Sequence, residues 1–281
     1  MSDKVSNEQL RNTWEAAAPG WAKWEKTFSA HLDGVTELLL DMAEVRVGSR
    51  VLDVASGAGD QTLQAAKRAG PQGHVVASDI SATMLSHVRK SAEREGLSNI
   101  ETLESSADDY NLSLTKFDSA ICRFGLMLFP SPAKAIQSIR GVLNPGARLG
   151  VVVVTTPQNN PSFSQPMNIL LDHADKQPPA PGQPGLFVLG GDGVLENLLN
   201  ECGLKDVQTR VMRAPIRVAN VDDALSMMQQ AFGAYRAVVS DLDEFEREKA
   251  WSAVRDCLSQ YENENGYEAE IEVMIGCGRN P

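Results

Sequence analysis

The chain has 281 residues, with 26 Lys and Arg against 37 Asp and Glu, for a net charge of −11 at pH 7. At about 150 residues per domain this length allows one large domain or two modest ones, and the 42% apolar, 22% charged composition excludes disordered and collagen-like chains. The acidity argues against nucleic acid or an anionic membrane as a partner, because either needs a cationic footprint. Cys122, Cys202, Cys257 and Cys277 are far apart, with no CxxC and no metal-ligand spacing, as suits reduced thiols in a cytosolic protein. The polar N-terminus lacks the apolar stretch of a secretion signal, and the run from Leu149 to Val154 is far short of the roughly 20 residues a membrane helix needs. The expectation is a cytoplasmic protein without membrane insertion.

Residues 7–44 read as helical. Leu10, Trp14, Trp21, Trp24 and Phe28 recur at helical spacings, Pro19-Gly20 should break the stripe, and a further segment from Asp33 to Glu44 places Val35, Leu38, Leu39 and Met42 on one side. The Trp-rich stripe fits core packing and also a lid over a ligand, since Trp suits a partly wet wall. From residue 50 strand and helix alternate. Strand signals fall at Arg50–Val54, Val75–Asp79, Ile100–Leu103, Phe117–Cys122 and Leu149–Thr155. Helices fall at Asp60–Arg68, at Ala82–Glu95 capped by Ser81, and at Pro132–Leu143, stopped by Asn144-Pro145-Gly146. That alternation predicts a parallel sheet with helices on both faces.

After Thr156 the rhythm changes. Pro157, Pro161, Pro166, Pro178, Pro179, Pro181 and Pro184 make residues 157–190 read mostly as a long functional loop. Asp192 should cap a helix ending near Gly203, Lys205 to Val218 is strand-like, two helices fit 222–239 and 243–262, and 268–277 closes as a strand. No internal repeat is present. Residues 221–270 hold 12 acidic and 4 basic side chains, so most of the negative charge belongs to the helix pair, as a solvated outer face.

The richest signal is Val51-Leu52-Asp53-Val54-Ala55-Ser56-Gly57-Ala58-Gly59-Asp60, with Asp79 ending the next strand. Glycines between strand and helix let the backbone approach a ligand, and an acid about 20 positions later accepts hydrogen bonds from ribose hydroxyls. Dinucleotides and S-adenosylmethionine both use this geometry. Three details favour the second. Thr62 stands where a dinucleotide fingerprint needs a small residue, Asp53 lies inside a strand normally apolar, and Asp60 at the helix N-terminus would repel a pyrophosphate.

With Ser78-Asp79-Ile80-Ser81 and Met84, Ser105-Ser106-Ala107-Asp108, Phe117-Asp118 leading to Cys122-Arg123-Phe124-Gly125-Leu126, and Leu143 to Leu149, the sequence resembles class I S-adenosylmethionine-dependent methyltransferases over about residues 45–155. It is nearest the small-molecule branch of ubiquinone/menaquinone biosynthesis methyltransferases. The resemblance implies an α/β fold with a doubly wound, mostly parallel seven-stranded Rossmann-like sheet, N-terminal helices and an inserted helix pair as lid. It divides the chain into a helical lid (1–44), a cofactor-binding core (45–218), a helical insertion (219–265) and a final core strand (266–281). It implies S-adenosyl-L-methionine as cofactor and S-adenosyl-L-homocysteine as product. It sets Asp53 and Asp60 in the cofactor loop and the backbone of Ala55, Ser56 and Gly57 against the methionine part. Asp79 takes the ribose, Ile80 and Met84 lie beside the adenine, and Ala107 and Asp108 meet its edge. Cys122 presents its carbonyl to the ammonium, and Arg123 lies near the reacting end. Ala55, where the family usually has glycine, and Ser106, where an acid often contacts adenine, are departures. Bland roles remain open beside these: Met84 as core packing, Arg123 as a plain ion-pair partner, Cys122 as a small buried residue.

Methyl transfer from a sulfonium needs orientation and exclusion of water, with a base only where the acceptor must lose a proton. Of the four histidines, His74 and His87 are placed away from the acceptor, while His31 and His173 could reach it as catalytic groups. No metal is implied. The apolar faces carrying Trp14, Trp24, Phe28, Met227, Met228, Phe232 and Tyr235 suggest a small hydrophobic or aromatic acceptor; oxygen is the favoured receiving atom, with nitrogen and carbon open. A cofactor-retaining cyclase on the same fold, a dinucleotide-dependent oxidoreductase and a non-catalytic binding module are the competing readings. The oligomeric state is not legible in the sequence.

Overall fold

The computed structural model describes residues 7–110, 116–179 and 183–281. The polar residues 1–6 and Pro181 of the proline-rich stretch lie outside them. In chain order the elements are α1 (Asn7–Lys23), α2 (Glu25–Met42), β1 (Arg50–Val54), α3 (Asp60–Ala69), β2 (His74–Asp79), α4 (Ala82–Arg94), β3 (Ile100–Glu104), β4 (Phe117–Arg123), α5 (Pro132–Val142) and β5 (Leu143–Val154). There follow α6 (Pro161–His173), α7 (Val194–Glu201), β6 (Lys205–Val218), α8 (Val221–Ala231), α9 (Gly233–Val238), α10 (Glu244–Leu258), β7 (Glu262–Asn263) and β8 (Gly266–Arg279).

The strands form one sheet in the order β3-β2-β1-β4-β5-β8-β6, with the two-residue β7 pairing β8. The first five run parallel, and β8 inserts antiparallel between β5 and β6. The expected seven strands are therefore present, with β7 as a short addition. Helices cover both faces. Gly150 of β5 meets Leu39 of α2, whereas Gly276, out of phase with it across the β5–β8 pair, meets Leu195 and Leu199 of α7. Val151 to Val154 are buried on both sides, as a central strand requires. Among the described residues no helix is long and apolar enough to cross a membrane.

Several expected boundaries shift, each for a local reason. Pro19-Gly20 does not end α1, which continues to Lys23 because tertiary packing holds it there: Gly20 lies flat against the backbone of α8. The break comes at Trp24, and α2 then runs unbroken through the segment that was expected to start at Asp33. Asn144-Pro145-Gly146 does not separate helix from strand, since β5 begins at Leu143 and pairs with β4 there. The proline-rich stretch is not mostly loop. Pro161 occupies the first turn of α6, where its missing N–H costs nothing, and Pro166 is carried inside the helix. Asn160 fixes this start: buried, it donates to Thr155 Oγ1 at 2.9 Å and to the Glu272 carbonyl at 3.2 Å, and accepts from Glu272 N–H at 2.8 Å. Gly193 in the left-handed region, not Asp192, precedes α7. The helix expected over 222–239 breaks at Phe232 into α8 and α9.

These anchors put α1 across the carboxyl edge of the sheet. Its Trp14, Ala18 and Trp21 pack with Ala58 and Met84 on one side, and Gly20 abuts α8 on the other. A Cβ at Gly20 would stand 2.1 Å from the Gln230 carbonyl oxygen. Gly20→Ala should therefore cost about 1–3 kcal/mol in urea unfolding, the range for overpacking a tight contact. An unchanged midpoint would mean that α1 does not rest on α8.

Candidate functional site

The chain leaves β1 toward α3 and β2, and leaves β4 toward β5 on the other side, so a crevice opens between the carboxyl ends of these adjacent strands. Both exits are sharp. Ala55, just after β1, has φ 53°, and Phe124, just after β4, has φ 63°. A residue with a side chain pays about 1–2 kcal/mol for that left-handed backbone. Ala55 replaces the glycine that the resemblance leads one to expect, and Gly125 explains how its methyl fits. A Cβ on Gly125 would lie 2.6 Å from the Ala55 Cβ and 2.9 Å from Cys122 Sγ.

The loop after β1 is held from two sides. Asp79 at the end of β2 accepts from Gly57 N–H and from Ser81 N–H, both at 2.9 Å. Asp53, wholly buried beneath the loop, accepts from Thr62 Oγ1 at 2.5 Å and from Gln61 Nε2 at 3.3 Å, and the same Gln61 amide reaches the Ser56 carbonyl at 3.2 Å. Gly59, at φ 100° and close against Val88, then starts α3. Burial pushes the Asp53 carboxyl up to about 7 and the Asp79 carboxyl up to about 6, against the hydrogen bonds that favour their charged forms. At the first turn of α3, Asp60 forms an ion pair of 2.6 Å with Arg123, and Arg123 also donates to Thr36 Oγ1 at 2.7 Å. Asp60 is thus balanced by a buried cation, and the repulsion of a pyrophosphate inferred from the sequence is weaker than a lone carboxylate would give.

Above these loops lies a cavity of about 200 Å³, open to solvent. One end is polar, with Ser56, Asp60, Asp79, Ser106, Asp108 and Arg123. The other is apolar and aromatic. Trp21 lies tilted against Phe28 at 4.5 Å between centroids, and Phe232 stands 5.8 Å from Phe163 and 5.7 Å from Tyr235.

Of the residues singled out in the sequence, Ala55, Ser56, Gly57, Asp60, Asp79, Ile80, Met84, Ala107, Asp108, Arg123 and His31 line this cavity. Three do not. Asp53 acts from beneath, through Thr62 and Gln61. Cys122 is fully buried behind the wall, its thiol pushed up to about 12 by burial, and the chain reaches the cavity only at Arg123 and Phe124. His173 ends α6, ten residues or about 15 Å of helix beyond the cavity-lining Phe163, and is not at the site. Trp24 and Met228 are likewise turned away from the acceptor end, Trp24 donating to Gln230 Oε1 at 3.1 Å and Met228 packing in the core. Sequence reasoning missed Tyr110, whose hydroxyl pairs with Ser78 Oγ at 3.0 Å, and the apolar wall residues Leu186, Ile216 and Ile271. No motif marks these; only the fold brings them together.

The ubiE/COQ5 methyltransferase family matches residues 28–173 by its sequence profile, more than half of the chain. The chain belongs to this family. A curated relative is the ubiquinone/menaquinone biosynthesis C-methyltransferase UbiE of Pseudomonas aeruginosa, 37% identical over 122 residues, which are 43% of this chain and 48% of that protein. The chain spans about half the length of such curated relatives. Among solved structures, a putative methyltransferase from Bacillus halodurans aligns with a TM-score of 0.58 at 18% identity, over 88% of this chain and 98% of its own. The [4+2]-cyclase SpnF aligns at 0.58 with 17% identity, over 98% and 97%. Both likenesses show the fold.

Two measurements test this geometry. Gly125→Ala should lower stability by about 1–3 kcal/mol through the clash with Ala55, and adding Ala55→Gly should restore part of it; strictly additive losses would contradict the contact. Because Asp53 and Asp79 titrate above their unfolded range, the folded state holds their protons more tightly, and their contribution to stability falls as pH rises from about 4 to about 7. Asp53→Asn should flatten the stability profile across that window. A slope equal to wild type would show that Asp53 is charged throughout.

Proposed function

We propose that the protein is an S-adenosylmethionine-dependent methyltransferase acting on a bulky hydrophobic, aromatic small molecule, with oxygen as the receiving atom. The observation that carries this reading is one cavity with a polar end built around Asp79 and the β1 loop, opening directly into an aromatic end. Residues of the polar end fit the cofactor. Asp79 keeps free lone pairs for ribose hydroxyls beyond those the Gly57 and Ser81 N–H groups use, Ala107 and Asp108 would flank the adenine, and the buried Ser56 hydroxyl has no partner among the described residues. The shifted carboxyls of Asp53 and Asp79 make the pocket favourable to a cation, since nearby positive charge lets both ionise. The cofactor, when bound, supplies an electrophilic methyl group on a sulfonium sulfur.

The chain's own residues then have three tasks. Trp14 and Trp21 of α1 and Phe232 of the α8–α9 break cover the cavity and exclude water, the role we assign to residues 7–44 and 219–265 as lid elements. Phe28, Phe163, Phe232 and Tyr235 orient the acceptor by shape, which can supply about 7–11 kcal/mol of the barrier. His31 holds a proton. Its Nε2 accepts from Arg217 N–H at 3.2 Å, so the neutral ring carries hydrogen on Nδ1, and burial with Arg217 nearby keeps its pKa below the usual histidine value. Fixed this way, His31 would donate from Nδ1 to an acceptor that arrives as its oxyanion, the proton having left to solvent, so methyl transfer to that oxygen releases no proton at the site. A second reading, transfer to carbon, is favoured by the curated relative, which is a C-methyltransferase. Neither reading involves nucleic acid.

Isothermal titration should give S-adenosylhomocysteine binding that NAD does not perturb, and Asp79→Ala should weaken it at least about tenfold. Incubation with S-adenosylmethionine and a panel of phenolic and lipophilic acceptors should then yield a product one methyl heavier, with the new methyl's chemical shift separating oxygen from carbon. Binding of NAD in place of S-adenosylhomocysteine would overturn the reading. Conversion of an acceptor without release of S-adenosylhomocysteine would favour a cyclase.

A further inference from the structure

Trp21 presents an unexplained group at the junction of the two ends of the cavity. Its indole Nε1–H is shielded from solvent and has no acceptor among the described residues, although the ring lines the cavity. The neighbouring Trp24 shows what a satisfied indole looks like here, its Nε1–H spent on Gln230. A buried N–H without a partner costs stability, and a native fold keeps one where a ligand completes it.

The position of the ring says which ligand atom that is. Trp21, with Trp14, packs against the small cluster of Ala18, Ala58 and Met84, where α1 meets the β1 loop and the first turn of α4. Two residues before Ala58, the Ser56 hydroxyl is a second buried donor at the cavity without a partner among the described residues. The charged donor nearby is already committed, because the Arg123 guanidinium is taken up by Asp60 and Thr36. Two unspent donors beside an otherwise satisfied loop suit a group that only accepts hydrogen bonds and has more than one oxygen, which describes a carboxylate.

Resting on the proposed cofactor, we infer that Trp21 is a cofactor-binding residue, its Nε1–H donating with Ser56 Oγ–H to the carboxylate at the amino-acid end. Lid and cofactor are then coupled: α1, which carries Trp21, is fastened over the site by the ligand it covers.

The test compares S-adenosylhomocysteine with 5′-methylthioadenosine, which keeps the nucleoside and lacks the amino-acid end. By isothermal titration, Trp21→Phe should weaken S-adenosylhomocysteine binding about tenfold or more while leaving 5′-methylthioadenosine within about twofold of wild type, as loss of a charge-assisted hydrogen bond predicts. Ser56→Ala should act in the same direction. Equal weakening of both ligands would overturn the inference, since it would mean that the ring only packs, and so would unchanged S-adenosylhomocysteine binding. Failure of wild type to bind S-adenosylhomocysteine would overturn the cofactor reading as well, and is thereby distinguishable. Should Trp21→Phe not fold, the wild-type protein labelled with ¹⁵N in its indoles decides: the Trp21 Nε1–H resonance moves downfield with S-adenosylhomocysteine and stays in place with 5′-methylthioadenosine.

Discussion

The site depends on one constraint, the parting of the chain after β1 and β4. Two adjacent parallel strands send their continuations in opposite directions, and the space left between them is the cavity. The turn is tight enough that Ala55 and Phe124 adopt left-handed backbone, a conformation stabilised only because surrounding structure over-determines it. The Ala55 methyl packs where Gly125 offers no side chain, so the two exits are fitted to each other. Asp53, Gln61 and Asp79 then fix the loop from below and from the side. Everything that touches a ligand is hung from this frame.

Electrostatics follow from the same frame. Of the carboxylates at or under the β1 loop, Asp53, Asp60 and Asp79, only Asp60 has a buried counter-ion. The other two are left with hydrogen bonds and little positive charge, and burial raises them toward neutrality. Such a site is incomplete in charge, and a cationic ligand completes it. The aromatic end has the opposite character. His31 is held there as a donor by Arg217, which leaves orientation and dryness as the protein's main contributions to catalysis.

How much of this the sequence discloses varies with the range of the interaction. The core was legible because the signals are local: Val51 to Asp60 is read as strand, glycine loop and helix start from neighbours a few residues apart, and Ser81 caps α4 as its type and position predict. Boundaries set by tertiary contact were not. Pro19 and Pro166 look like breakers, yet α1 and α6 run through them because Gly20 on α8 and Asn160 on β8 hold those helices from outside. Most residues that the motifs single out at the polar end line the cavity, while Asp53 and the Cys122 side chain lie behind its wall. The acceptor end was legible only as a set of apolar faces. Which faces meet is decided by α8 breaking at Phe232 and by strands as distant as β6 and β8, and no local pattern encodes that His31 lies at the cavity and His173 does not.

The central claim is that the crevice between β1 and β4 holds an S-adenosyl ligand in one orientation, with the aromatic end left free for the acceptor. A crystal structure of the protein with S-adenosylhomocysteine tests it most directly. The account predicts the ribose hydroxyls on Asp79, the adenine between Met84 and Asp108, and the sulfur facing the chamber lined by Phe28, Phe163 and Phe232. Density for the ligand lying in that aromatic chamber, with the Asp79 carboxylate untouched, would contradict it.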